Sequence, residues 1–331
     1  MLARSRLAEL LARAATVRVA VVGDAMLDVY LHGDVERISP EAPVPVVRVR
    51  ERRVALGGAA NVAQNVLALG AACELVATVG DDAAGATVRD LLTRAGTGHE
   101  SVLACARPTT TKTRVVARVQ QLVRVDEEDD GELSAEDVAR VSACVRRAVA
   151  RADALALEDY NKGCLAPAVI ETSLAAARER GIPVVVDPKY RNFFAYGGAT
   201  VIKPNRRELE AALGAAVDLD HPDTLPATLA RLSADTLLLT LGERGMLVVT
   251  ARDGVHTVPT TAREVYDVVG AGDTVTAYLA AMLGAGATVL EAAMAANFAA
   301  GVEVGKLGAA TVSPPEVLEA YDAYAAGHGR A

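Results

Sequence analysis

The segment 267–274, DVVGAGDT, sets an acid inside a loop that carries two glycines and leads into a long apolar stretch. Gly270 and Gly272 let backbone amides approach a ligand without side-chain obstruction. A helix starting there would aim its free N–H groups and the positive end of its dipole at one point. Such a loop suits the negative charge that develops on a phosphoryl group in flight. Asp273 would then accept the proton of an attacking hydroxyl. A plainer reading is a glycine-rich turn with Asp273 as the helix N-cap, and a motif this short does not choose between the two.

A second group, Lys203-Pro204-Asn205-Arg206-Arg207-Glu208, follows the apolar run 199–202. Asn205 is a good N-cap and Glu208, three residues on, could close a capping box. The functional reading puts both at the carboxyl edge of a sheet, where they would position Mg²⁺ through water against nucleotide phosphates. Thr240-Leu-Gly242-Glu-Arg-Gly245 is either a hairpin turn or a phosphate-facing loop. Gly23-Asp24 with Asp28, and Gly57-Gly58 with Asn61, offer carboxylates and an amide that suit paired sugar hydroxyls. Their plain alternatives are a solvated loop acid and a helix-surface amide. Gly301 to Leu307 looks like a Walker loop but lacks the GxxxxGK[ST] spacing, and it ends a helical pattern. The five histidines form no HExxH or HxxxH pattern, which argues against a zinc hydrolase. No GxSxG elbow occurs either.

These residues need elements to hold them, and the chain supplies an alternation of strands and helices. Strands are predicted at 17–22, 75–79, 154–157, 182–186, 199–202 and 236–240, with helices at 59–69, 82–94, 166–180 and 206–213 between them. That rhythm implies right-handed βαβ crossovers and a mostly parallel sheet covered on both faces. Segments 44–54 and 109–125 break it by alternating apolar and polar residues with no helix between partners. Period two means a sheet wet on one face, so they predict a small antiparallel lid whose apolar side needs a cover. The acidic run 126–130 reads as a solvated turn.

With 331 residues and 51% hydrophobic content the chain can bury a large core, which rules out a disordered or disulfide-scaffold protein. A net charge of −8 argues against nucleic acid or an anionic membrane as the bulk partner. The four cysteines form no CxxC pair and read as reduced thiols of a cytosolic protein. The charged N-terminus lacks a signal-peptide core. The uncharged stretch 275–290 is shorter than the roughly 20 residues of a membrane span.

Taken together, the GGAANVAQN block from Gly57 and the DVVGAGDTV block from Asp267 resemble the two signatures of the PfkB (ribokinase-like) carbohydrate kinases. The resemblance runs from about Val17 to Pro314, with Val269 where the family usually has Thr. The blocks GDAMLDVYLHGDVERISPEAPVPVV, TTTKTRVVARVQQLVRVD, EDYNKG, EVYDVVGAGDT and VGKLGAATVSP are similar to one branch, the D-glycero-β-D-manno-heptose 7-phosphate kinases of ADP-heptose synthesis. The resemblance implies a single ribokinase-like α/β kinase domain over 1–331, with lid strands at about 30–54 and 107–126. It also implies that no adenylyltransferase domain accompanies it here. Asp273 would be the catalytic base, with Gly270, Ala271 and Gly272 as the anion hole. Asn205, Arg206, Arg207 and Glu208 match the ATP/Mg²⁺ segment, with Asn205 and Glu208 holding the metal through water. Thr240, Gly242 and Gly245 match the nucleotide loop and Asn297 a position near the adenine.

Asp28, Gly58 and Asn61 match sugar-hydroxyl contacts, while Arg37, Lys112, Lys162 and Lys189 are candidate cations for the sugar's own phosphate. The implied reaction is ATP-dependent phosphorylation of O1 of the heptose 7-phosphate, in a cytoplasmic homodimer joined through the lid, feeding lipopolysaccharide-core or related glycans. A PfkB-type kinase of another sugar, or an idle nucleotide-binding dimer, are the rival readings.

Overall fold

In the computed structural model, which describes residues 2–118, 120–262 and 265–328, the apolar run at 17–22 forms β1 (Arg18–Gly23). The chain order is α1 (Arg4–Ala14), β1, β2 (Ala25–Ile38), β3 (Pro45–Gly58), α2 (Ala59–Ala68), β4 (Ala72–Gly80), α3 (Ala83–Arg94), β5 (Val102–Cys105), β6 (Thr111–Ala117), β7 (Gln120–Glu127) and α4 (Ala135–Val149). It continues with β8 (Ala154–Glu158), α5 (Pro167–Arg180), β9 (Val184–Asp187), β10 (Val201–Ile202), α6 (Arg206–Leu213), α7 (Leu225–Leu232), β11 (Thr236–Thr240), β12 (Met246–Thr250) and β13 (Gly254–Val258). Three helices close it: α8 (Ala271–Gly284), α9 (Val289–Glu303) and α10 (Pro314–His328).

Among the described residues a nine-stranded sheet has the order β13-β12-β11-β10-β9-β8-β1-β4-β5. All its pairs are parallel except β11–β12 and β12–β13. Side chains of β1 divide between two apolar layers. Val19 and Val21 pack with residues of α2, α8 and α9, whereas Ala20 and Val22 pack with residues of α4 and α5. Burial on both faces is why β1 reads as an unbroken apolar run instead of an alternating one. The strand order departs from β1 in both directions, to β4 on one side and β8 on the other. A crevice therefore opens beyond the carboxyl ends of β1 and β8, the place where open α/β sheets bind ligands.

The second sheet has the order β3-β2-β6-β7. Its hairpins β2–β3 and β6–β7 are antiparallel, as expected, but β2 and β6 run parallel. Helices α2 and α3 lie between them in the chain, and a crossover of that kind returns a strand in the same direction. Strands β2 and β3 also reach further inward than 30–54, from Ala25 to Gly58, so the lid grows directly out of the end of β1 and into the start of α2. Registers put Asp28, Lys112 and Asp126 in one row and Tyr30, Arg114 and Arg124 in the next. Val29, Thr113 and Val125, then Leu31, Val115 and Val123, form the corresponding rows of the other face. Val29 is buried, whereas Val123 and Val125 on the outer strand are 49% and 50% exposed, so the apolar side stands open there where the alternation called for a cover.

Helix α8 is buried along its whole length from Asp273 to Leu283, as an all-round apolar helix must be. The uncharged stretch at 275–290 divides between α8 and α9, and among the described residues no helix is long and apolar enough to cross a membrane.

Candidate active site

Helix α8 starts at Gly270, whose φ of 98° only glycine adopts readily, and no side chain caps the helix. Space for a side chain is tight as well. A methyl built on Gly270 would lie 3.1 Å from Nδ2 of Asn61, 3.1 Å from Oε1 of Glu303 and 3.3 Å from Cα of Ala309. Gly270→Ala is accordingly expected to cost about 1–3 kcal/mol through strain and overpacking, read as a lower urea midpoint together with a fall in turnover. No side chain takes the first-turn N–H groups at the positive dipole end, though the Ala271 amide donates to the Val268 carbonyl at 3.5 Å.

Asp273 sits in that first turn, buried, and does not cap the helix. Its two oxygens are held from opposite sides. Asn61 Nδ2 donates to Oδ2 at 2.7 Å and the Tyr160 hydroxyl donates to Oδ1 at 2.9 Å. Burial pushes its pKa up to about 6, and the Asn61 and Tyr160 hydrogen bonds restrain that rise. Asn61 comes from the first turn of α2, immediately after Gly58, the N-cap with φ 58°. Tyr160 follows β8 in a loop stapled by Asp24, which accepts from the amides of Tyr160, Lys162 and Cys164 at 2.8, 2.9 and 2.9 Å. Asp24 is thus occupied by backbone and is not available to sugar hydroxyls, a correction to its expected role.

Beneath the loop, the carboxyl ends of β8, β9 and β10 bring Glu158, Asp187 and Lys203 together. Lys203 Nζ donates to Asp187 Oδ2 at 2.8 Å, and both side chains are buried. A methyl on Gly272 would lie 3.7 Å from each of those atoms, so the pair underlies the glycine loop. Glu158 is fully buried with no partner for either oxygen. Burial first, then the Asp187 and Asp273 charges, raise its pKa well above the carboxylate range, which holds it neutral.

At the start of α6 the capping box forms in full: Asn205 Oδ1 accepts from the Glu208 amide at 3.0 Å and Glu208 Oε2 from the Asn205 amide at 2.9 Å. The other Glu208 oxygen pairs with Lys189, whose ammonium lies 4.9 Å above the Tyr160 ring. The plain and functional readings coexist here, because the cap orients the carboxylate. Among the described residues no cluster of three or more carboxylate, His or Cys groups forms a metal cage. Mg²⁺ needs few protein ligands when phosphates and water complete its shell, and the oxygen donors of Asn205 and Glu208 suit it. Arg206 pairs with Glu210 at 2.8 Å and Arg207 is exposed. Asn205 bridges to Thr240, which brings the 240–245 turn beside α6. Gly242 and Gly245 there have φ of 60° and 84°. Asn297 is buried with its amide donated to the Pro259 carbonyl at 2.8 Å, so it holds the 259–261 segment.

On the lid, Arg114 donates to Asp28 Oδ1 at 2.6 Å, and its guanidinium lies 5.2 Å from the Tyr30 ring centre. Lys112 pairs with Asp126 and Glu128 at 3.1 and 3.2 Å, and Lys162 pairs with Glu128 at 2.9 Å. The acidic run is exposed throughout but only partly a turn: Asp126 and Glu127 belong to β7, and Asp126 and Glu128 engage the candidate cations. Arg37 is exposed and lies further along β2 than Asp28 by a rise of roughly 30 Å, which keeps it away from Asp273 of its own chain. The structure thus gathers Gly270, Ala271, Gly272, Asp273 and Asn61, adjoined by Gly58. It adds Tyr160, Asp187, Glu158 and Arg114, which sequence reasoning did not single out, and Lys203, which stood there only as the first residue of the 203–208 group. Tyr160 and Glu158 stand in the EDYNKG block and Arg114 in TTTKTRVVAR, so the blocks were visible but not the roles.

The chain is similar to known proteins over most of its length. Bifunctional protein HldE of Rhodospirillum rubrum is 46% identical over 320 residues, covering 95% of this chain and 64% of the relative. HldE of Halorhodospira halophila is 48% identical over 304 residues, covering 91% of this chain and 62% of the relative. The chain thus spans somewhat under two thirds of the length of these relatives. Among solved structures, phosphofructokinase-2 from Escherichia coli in complex with potassium superposes with a TM-score of 0.77 at 20% identity, over 94% of this chain and 100% of that one. Ribokinase from Arabidopsis thaliana complexed with ribose and ATP gives a TM-score of 0.73 at 20% identity, over 92% and 98%. These two likenesses establish a shared ribokinase-like fold. The description "pfkB family carbohydrate kinase" matches residues 17–316, and the chain belongs to that family.

Proposed function

We propose that this chain transfers the γ-phosphoryl group of ATP to O1 of D-glycero-β-D-manno-heptose 7-phosphate, yielding the 1,7-bisphosphate and ADP for ADP-heptose synthesis in the cytoplasm. The observation that carries the reading is Asp273, buried at the uncapped start of α8 with Asn61 and Tyr160 orienting its two oxygens. Similarity to bifunctional HldE proteins over most of the chain supports a heptose phosphate over other sugars.

Asp273 takes the proton of O1 as that oxygen bonds to the γ-phosphorus, and the bond to the β-bridging oxygen breaks to release ADP. The amides of 270–272 meet the charge spread over the equatorial oxygens. Thr240, Gly242 and Gly245 flank the nucleotide phosphates, with Arg206, Arg207 and Asn297 on the nucleotide side. Asn205 and Glu208 would hold Mg²⁺ through water, where it would neutralise phosphate charge. Asp28, with Gly58 and Asn61, takes the sugar hydroxyls, while Lys112, Lys162 and Lys189 are the cations offered to the 7-phosphate. The lid excludes water and limits hydrolysis of ATP.

The test is an ADP-release assay with D-glycero-β-D-manno-heptose 7-phosphate, ribose and fructose phosphates. Release that depends on the heptose phosphate supports the reading; release with another sugar alone overturns the substrate assignment. The wet valine rows of the lid support a homodimer through that face. Sedimentation at micromolar concentration is expected to report a dimer, and Val125→Asp to disperse it.

A further inference from the structure

Glu303, the last residue of α9, is fully buried, and neither of its carboxyl oxygens has a hydrogen-bond partner. It stands directly behind the glycine loop, where its Oε1 would lie 3.1 Å from a methyl built on Gly270. The loop is stitched to the same place. The amides of Tyr266 and Asp267 both donate to the Val304 carbonyl, at 2.7 and 3.2 Å, and Asp267 Oδ2 accepts from the Gly308 amide at 3.1 Å.

The groups facing Glu303 are mostly of its own sign. Asp273 of α8 and Asp267 of the loop oppose its ionisation, and Tyr30 of β2 adds no positive charge. Lys306 is the cation on that side, and its ammonium is taken by Glu316 and by the Thr311 carbonyl at 2.7 Å. The carboxyl also lies at the negative end of the α9 dipole. Burial first, then those acids, push its pKa up to about 8; the Ala310 amide lowers it somewhat while remaining outside hydrogen-bonding geometry.

A negative charge behind the first turn of α8 would oppose the charge that turn is built to receive. The geometry points to Glu303 as a positioning residue that supports the 270–272 loop as a neutral carboxylic acid, its ionisation switching off the loop's hold on phosphate. This rests on reading 270–272 as the phosphoryl-binding loop. Nothing in the proton transfer to Asp273 involves Glu303, which acts only by leaving the loop its positive field.

The test compares wild type with Glu303→Gln, which keeps the shape and stays neutral at every pH. Affinity for ATP with Mg²⁺ is measured from about pH 7 to about pH 9.5, alongside heptose 7-phosphate turnover. Wild-type ATP affinity is expected to fall about tenfold across that range while the variant changes less than about twofold. Carbon-13 NMR of the glutamate carboxyls in wild type, assigned through bonds from the backbone resonances, reads the ionisation without any variant having to fold well. A signal titrating in the same interval supports the proposal. An equal alkaline loss of affinity in both proteins overturns it, as does a Glu303 carboxyl that ionises in the ordinary range. Absence of heptose phosphate turnover, with the ATP difference intact, would overturn only the substrate assignment.

Discussion

Asp273→Asn should lower turnover roughly 10²- to 10⁴-fold, the span expected for loss of a general base, and should raise thermal stability at neutral pH. The two effects share one cause. In wild type, burial lifts the Asp273 pKa from 3.8 to about 6, so the ionised form is disfavoured in the folded protein. For an acid whose folded pKa is raised, the stabilising contribution is complete below the unfolded value and is lost as pH rises through the folded one. At pH 7 wild type therefore bears the full cost of the charge, of order 2–3 kcal/mol, and the neutral amide removes it. A smaller opposing effect comes from Asn61, whose Nδ2 now donates to Asp273 and would face the new amide's own N–H group. Flipping Asn61 would break the contact that Asn65 Nδ2 makes to its Oδ1 at 3.3 Å.

The measurements are kcat under saturating substrates and the melting temperature at pH 7. A variant that is slow and also less stable than wild type would point to structural damage instead of a missing base. In the proposed reaction the base must be ionised, so wild-type kcat/KM is also expected to fall as pH drops below about 6. Full activity in the variant would remove Asp273 from the mechanism.

The largest expected loss of stability belongs to Lys203→Met. Lys203 and Asp187 are both buried, and the ammonium donates to Asp187 at 2.8 Å beside the unpartnered Glu158. Removing one partner of such a pair leaves an uncompensated charge in a low-dielectric interior, at a cost of about 3–5 kcal/mol. The Lys203 charge and hydrogen bond hold the Asp187 pKa below its ordinary value. That stabilisation is present above the unfolded carboxylate pKa and is lost as pH falls through the lowered folded one. The deficit of the variant should therefore be full at neutral pH and shrink in acid, where Asp187 can take a proton. Urea midpoints at about pH 7 and about pH 4 check it. A pH-independent deficit would mean that lost packing of the lysine stem, not charge, explains the change. Because the pair underlies Gly272, turnover should drop as well.

Several features of the molecule were legible one residue at a time. The α6 and β11 boundaries follow from local signals alone, an Asn–Glu capping pair and an apolar run between turns. The glycine loop was legible for the same reason, since a helix start and its free amides are made by adjacent residues. Period two in 44–54 and 109–125 announced a half-wet sheet but not its pairing, because strand direction depends on what crosses over between strands, here α2 and α3. Arg114 and Lys112 illustrate the limit. Both are basic residues in one lid strand, two positions apart and on the same face, yet one is paired to Asp28 and the other to Asp126 and Glu128.

By itself, then, the order of residues determined the α/β class and the family and marked Asp273 as the candidate acid, because periodicity, caps and short motifs are properties of neighbours in the chain. Only the tertiary structure decided which groups surround that acid. Asn61 and Tyr160 bond to it from α2 and the β8 loop, and Lys203 at the end of β10 and Glu303 at the end of α9 interact with it electrostatically. Whether a carboxyl is charged, neutral or a structural staple, as with Asp273, Glu158 and Asp24, depends on the burial and partners those distant segments supply.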